Sequence, residues 1–153
     1  MRCIVWRWAH RAMVGVFVLM VLVGCRGWSL SRPQPEVSLT VTGRVAQGGI
    51  WDAGRLQSLG LMEVVTINPG GEEVIWGGVL LKDLLEAVQP EPGAGRVIFT
   101  DADGKRVEMS LNEARACGEC LVAFDPVGGG LNLAMPGLPA ELWVRNLVNI
   151  EIQ

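Results

Sequence analysis

Leu61-Met-Glu-Val-Val-Thr-Ile-Asn-Pro-Gly-Gly-Glu-Glu-Val-Ile-Trp-Gly-Gly-Val-Leu-Leu-Lys-Asp-Leu-Leu-Glu-Ala-Val88 decides the fold class, because its hydrophobic period changes from that of strands to that of a helix. Leu61 to Asn68 is apolar enough for a strand. Asn68-Pro-Gly-Gly71 is a turn, since proline presets one backbone dihedral and glycine accepts positive φ. Glu72 to Trp76 then returns as the partner strand, which makes a hairpin. Gly77-Gly78 breaks the period, and a helix is expected over Val79 to Val88. Leu80, Leu81, Leu84, Leu85 and Val88 share one face of it, with Lys82, Asp83 and Glu86 opposite. Pro90 and Pro92 stop that helix.

The chain on either side extends the same mixture. Val37 to Val45 alternates Val37, Leu39 and Val41 with small polar residues, the pattern of a strand with one wet face. Val97 to Thr100 and Lys105 to Met109 read as strands around the turn Asp101-Ala-Asp-Gly104. Ser110 stands three residues before Glu113, the spacing of a capping box, so a short helix is expected from Leu111. Cys120 to Phe124 and Leu131 to Met135 are strands around the loop Asp125-Pro-Val-Gly-Gly-Gly130. Val144 to Ile152 closes the chain, with Val148, Ile150 and Ile152 on one face. Seven or eight strands, two helices and no internal repeat predict an α+β fold of mixed sheets with short helices, in one domain over 37–153.

The start of the chain follows a different logic. Arg2, Arg7 and Arg11 precede an apolar run from Ala12 to Gly24, which is a charged n-region followed by an h-region. Thirteen residues are too few to span a hydrocarbon core, which needs about 20. The run ends in Leu22-Val-Gly-Cys25, which resembles the lipobox of bacterial lipoproteins. That resemblance implies a signal peptide over 1–24, cut before a Cys25 that carries lipid such as palmitate. Residues 26–36, polar apart from Trp28 and Leu30, would then form a tether. The expected location is the extracytoplasmic side of the cell membrane or outer membrane, with the bilayer as partner through acyl chains.

Without the leader, ten Lys or Arg face sixteen Asp or Glu, a net charge of −6. Such an acidic domain has no electrostatic reason to hold nucleic acid. The lone histidine, His10, belongs to the leader, and there is no tyrosine. Serine-histidine and cysteine-histidine catalysis is therefore excluded within one chain, as are histidine-rich metal sites. Asp101 and Asp103 are fragments of a calcium loop without its remainder, and fit a solvated turn. Cys117-Gly-Glu-Cys120 permits a local disulfide, a redox pair, half of a metal site or two unpaired packing residues. Trp51, Trp76 and Trp143 are candidates for a ligand pocket or for ordinary core packing.

From Leu39 to Ile152 the order of segments resembles the oxidoreductase molybdopterin-binding domain family, the sulfite-oxidase-type fold. The matching pieces are Leu39-Thr-Val-Thr-Gly43, Trp76-Gly-Gly-Val-Leu-Leu-Lys-Asp-Leu-Leu85, Asp103-Gly-Lys-Arg-Val107, Gly130-Leu-Asn-Leu-Ala-Met-Pro136, Trp143-Val-Arg-Asn-Leu147 and Ile150-Glu-Ile152. The resemblance implies a molybdenum-pterin cofactor bound through a cysteine thiolate that follows a strand. The corresponding stretch, Val65-Thr-Ile-Asn-Pro-Gly70, holds no cysteine. It also implies an arginine where Asn132 stands, so Asn132 joins the three tryptophans as a candidate pocket residue.

These features predict a membrane-anchored lipoprotein of the cell envelope whose domain reuses the fold to bind a partner protein or small ligand, without catalytic residues, metal or cofactor. Two other functions remain open: a molybdopterin-dependent oxidoreductase or its accessory subunit, and a thiol-disulfide factor using Cys117 and Cys120.

Overall fold

The computed structural model describes residues 37–153, and the expected leader, lipidation at Cys25 and tether fall outside the described residues. Among the described residues, nine strands, three short α-helices and one 3-10 turn alternate. They run β1 (Ser38–Gly43), β2 (Gly49–Asp52), α1 (Ala53–Gln57), β3 (Met62–Ile67), β4 (Glu73–Leu80), α2 (Leu81–Ala87), β5 (Arg96–Asp101), β6 (Arg106–Ser110), α3 (Leu111–Ala116), β7 (Leu121–Phe124), β8 (Leu131–Ala134), the 3-10 turn Ala140–Leu142, and β9 (Leu147–Ile152). One sheet has the order β2-β1-β9-β5-β6 and the other β3-β4-β7-β8. Among the described residues only β1 and β9 pair in parallel, which sets the first and last of these strands side by side. This is the expected α+β class. Among the described residues no helix is long and apolar enough to cross a membrane.

One apolar cluster joins both sheets to the helices. Leu39 and Val41 of β1, Phe99 of β5 and Ile150 of β9 meet Val79, Val122 and Leu133 of the second sheet, with Leu81, Leu84 and Leu85 of α2. A smaller cluster, Leu80, Leu121, Ala123 and Ala134, packs with Val64, Trp76 and Trp143. Burying side chains of this size contributes about 1.5–3 kcal/mol each.

The structure corrects several expectations. Gly77 and Gly78 do not end a strand, because β4 continues through them to Leu80. Gly78 lies against β7, where a Cβ would collide with the Val122 carbonyl oxygen and stand 2.6 Å from Ala123 Cα. Helix α2 therefore begins at Leu81, not Val79, and Leu80 belongs to the strand and the smaller cluster. The Leu81 amide donates to the Cys120 carbonyl at 2.8 Å, so a neighbouring strand sets this helix start. Helix α3 does begin at Leu111, but Ser110 makes no side-chain cap bond. The Leu111 amide instead donates to the Gly95 carbonyl.

The closing strand also departs from strict alternation. The β5–β9 register shifts between Thr100 and Asp101, which pair with Asn149 and Leu147 respectively. Val148 is the extra residue of this bulge and is exposed, while Leu147 takes the buried place. The elements β2 and α1 had no counterpart in the sequence reading. They are short, and they hold together through the Asp52 carboxylate, which accepts from the Arg55 amide at 2.8 Å.

Candidate functional site

Two clefts meet at Trp76, Asn132 and Arg145. The larger, about 1000 Å³, lies between the exposed face of the β3–β4 hairpin and the chain around Phe124, Pro126 and Asn146. The smaller, about 370 Å³, is bounded by Asn68, Asp101, Lys105 and Trp143. Trp76 and Trp143 meet edge to face with ring centroids 6.0 Å apart. The Trp76 ring nitrogen is buried and finds no acceptor among the described residues. Arg145 and Lys105 make no ion pair among the described residues, so both cations remain available to a ligand.

Asn132 sits on β8 and is the buried polar side chain of the region. Its Oδ1 accepts from the Asn146 amide at 3.0 Å, which ties β8 to the segment carrying Arg145. Asp125 lines the large cleft together with Asn132. Asp125 Oδ1 accepts from the amides of Val127 and Gly128 at 2.8 and 2.9 Å. These two backbone donors, Gly128 first, hold the Asp125 carboxyl below its ordinary range against the opposing effect of burial, with Asn132 a lesser contribution in the same direction.

That shift has a measurable consequence. A carboxylate with a depressed folded pKa stabilises the fold above the ordinary aspartate value of about 3.9, and the contribution is lost as pH falls through the folded pKa. Asp125→Ala should cost less than about 1 kcal/mol at neutral pH, because solvent screens the carboxylate and its two amide hydrogen bonds. Urea melts of both proteins should converge as pH drops below the ordinary aspartate range. A difference that persists undiminished in acid would assign the effect to packing.

The sequence candidates separate cleanly in space. Trp76, Trp143 and Asn132 come together at the clefts. Trp51 does not join them, for it is buried in the main core beneath Arg55, whose guanidinium carbon stands 3.7 Å from the indole centroid. Arg145 was not singled out from sequence, although it lies within the quoted segment Trp143-Val-Arg-Asn-Leu147. Asp101 spends Oδ1 on the amides of Asp103 and Lys105, the geometry of a closed polar turn. No group of three or more acidic, Cys or His side chains able to hold a metal occurs among the described residues.

Cys117 and Cys120 are joined by a disulfide, with Cα atoms 5.5 Å apart. Cys120 is fully buried in the main core at the entrance to β7. Both cysteines of the described residues are thereby oxidised and unavailable as thiolates. In the stretch Val65 to Gly70, β3 ends in Val65, Thr66 and Ile67, and the Asn68 side chain is spent on the Gly70 and Glu72 amides. Uncharged Asn132 stands where the resemblance implies an arginine. The donor set of the described residues therefore does not fit a thiolate-ligated molybdenum cofactor.

Comparison with known proteins agrees with this architecture. No curated protein sequence matches the chain. Among solved structures, the fold is similar to the sulfane dehydrogenase SoxCD from Paracoccus pantotrophus, with a TM-score of 0.61 and 16% sequence identity. The likeness covers 76% of this chain and 38% of that one, so this chain corresponds to well under half of that protein's length. Residues 53–153 match the oxidoreductase molybdopterin binding domain, from α1 through the last strand. With two sheets in the sulfite-oxidase-type arrangement and a family match over most of its length, the chain belongs to the oxidoreductase molybdopterin-binding domain family.

Proposed function

We propose that this chain is a noncatalytic member of its family, an extracytoplasmic lipoprotein anchored at Cys25 whose domain binds a small ligand where the two clefts meet. The observation that carries this reading is the contrast between a well-formed cleft and a missing reactive group. Side chains able to bind line the space, while both thiols of the described residues are locked in one disulfide. The lining, in which Arg145 and Lys105 stand among the carboxylates of Glu63, Asp101 and Asp125, suits a small organic ligand with polar groups of both signs and an apolar body. Arg145 and Lys105 supply positive charge, the Trp76 ring nitrogen an unused donor, and Trp143 and Phe124 apolar surface. Family membership accounts for the scaffold, and the site decides what the scaffold does.

A thiol-disulfide factor is less well supported. Cys117 is the C-cap of α3, where the helix dipole disfavours a thiolate, and Cys120 is sealed in the core. The disulfide suits a structural staple in an oxidising compartment.

The test is molybdenum and pterin analysis of the intact lipidated protein, purified from a host that makes the cofactor. Both are expected far below one equivalent, under conditions that load a cofactor-binding relative fully. Near-stoichiometric molybdenum with pterin would overturn the noncatalytic assignment.

A further inference from the structure

The edge strand β3 combines three properties that bear on a protein partner. It is the outermost strand of its sheet, so alternate peptide groups face away from β4 and are free to pair. Its hairpin also carries most of the large apolar side chains exposed on the domain: Leu61 at 59%, Met62 at 48%, Val65 at 60%, Ile67 at 57% and Ile75 at 66%. Val65 and Ile75 are direct cross-strand partners, and Ile67 lies on the same face two residues along, which makes a continuous apolar row. Ile75 and Glu63 of this face line the large cleft, so the row leads into it.

The third property is charge. From Leu56 to Leu81 there is no lysine or arginine, while Glu63, Glu72 and Glu73 frame the apolar row. None of the three makes an ion pair among the described residues. Lysine, a common device for keeping a sheet edge solitary, is therefore absent from this hairpin. Pairing two copies through β3 would bring six carboxylates close together, which argues against a second copy of this chain. The complementary occupant is an extended, cationic segment.

We propose that β3 is a docking edge for a partner protein. The partner contributes an extended segment that adds to the sheet as a fifth strand, with alternating apolar residues beside Val65 and Ile67, whose row Ile75 continues on β4, and Lys or Arg at its flanks toward the carboxylates of Glu63, Glu72 and Glu73. Main-chain pairing supplies affinity, and the apolar row and carboxylates supply selection. This goes beyond the ligand cleft, and holds whether or not that cleft is filled.

The experiment uses the full lipidated chain in detergent micelles and a fluorescent peptide alternating valine and threonine between paired lysines. The same peptide with glutamate ends is the control. The lysine-ended peptide should bind saturably, bind more tightly as salt is lowered, and slow amide hydrogen exchange in β3. The glutamate-ended peptide and the Val65→Lys variant should each bind at least about tenfold more weakly, as expected for loss of a central contact or its charge complement. Val148→Lys, on the exposed bulge of the other sheet, should bind normally. Thermal melts of both variants should match the parent, because both side chains are exposed. Absence of saturable binding, equal binding of both peptides, or insensitivity to Val65→Lys would overturn the proposal. So would a dimer in light scattering that Val65→Lys disperses, since it would put a second copy on the edge. Molybdenum loading would overturn the noncatalytic reading and leave these outcomes unchanged, so the two failures are distinguishable.

Discussion

Gly78→Val should lower the stability of the domain by about 3 kcal/mol or more, while Gly77→Val next to it should be close to neutral. Both glycines lie in β4, and sequence offers no reason to distinguish them. A Cβ on Gly78 would collide with the Val122 carbonyl oxygen and press on Ala123, whereas a Cβ on Gly77 meets nothing within 4 Å. The obstructing atoms are backbone of a buried strand, which cannot swing aside as a flexible side chain would. Urea denaturation checks this directly, with a midpoint lowered by roughly 1 M or more in Gly78→Val and an unchanged slope. A total stability of about 5–15 kcal/mol makes such a loss severe. Equal effects at the two positions would mean that β4 and β7 do not approach as described.

Cys25→Ser should abolish incorporation of labelled palmitate and leave the leader uncut, so that the chain keeps the mass of residues 1–24. The expectation rests on Leu22-Val-Gly-Cys25 at the end of a short apolar run. The effect is large because each buried methylene contributes about 0.8 kcal/mol, and several acyl chains make attachment durable where one does not. Mass spectrometry of the parent and the variant reads both changes at once. Label retained in Cys25→Ser would point to another acceptor, and an unlabelled parent would remove the anchor from the proposed function.

The candidate site was partly legible before its geometry. Trp76, Trp143 and Asn132 stand out by residue type and family resemblance, and they converge. Trp51 has the same chemical appeal, but it sits in a four-residue strand capped by a five-residue helix, too brief for any period to show. Its burial beneath Arg55 depends on that turn forming. Arg145 carries no distinguishing motif. Its importance comes from position, since the Asn132–Asn146 hydrogen bond brings its segment beside β8.

What the sequence determined by itself is the structure whose causes lie a few residues apart. The hairpin turn is closed by Asn68, which accepts from the Gly70 and Glu72 amides, and the next turn by Asp101 in the same way. The buried face of α2, Leu81, Leu84, Leu85 and Val88, follows from helical spacing alone. Only tertiary structure decided where α2 begins, because its first amide is taken by the carbonyl of Cys120, thirty-nine residues away. It likewise decided that Gly78 stays in a strand, that Val148 bulges outward, and that β1 lies parallel to β9. Backbone atoms of distant strands supply the energy for each of those choices, and no local pattern of side chains encodes where those atoms will be.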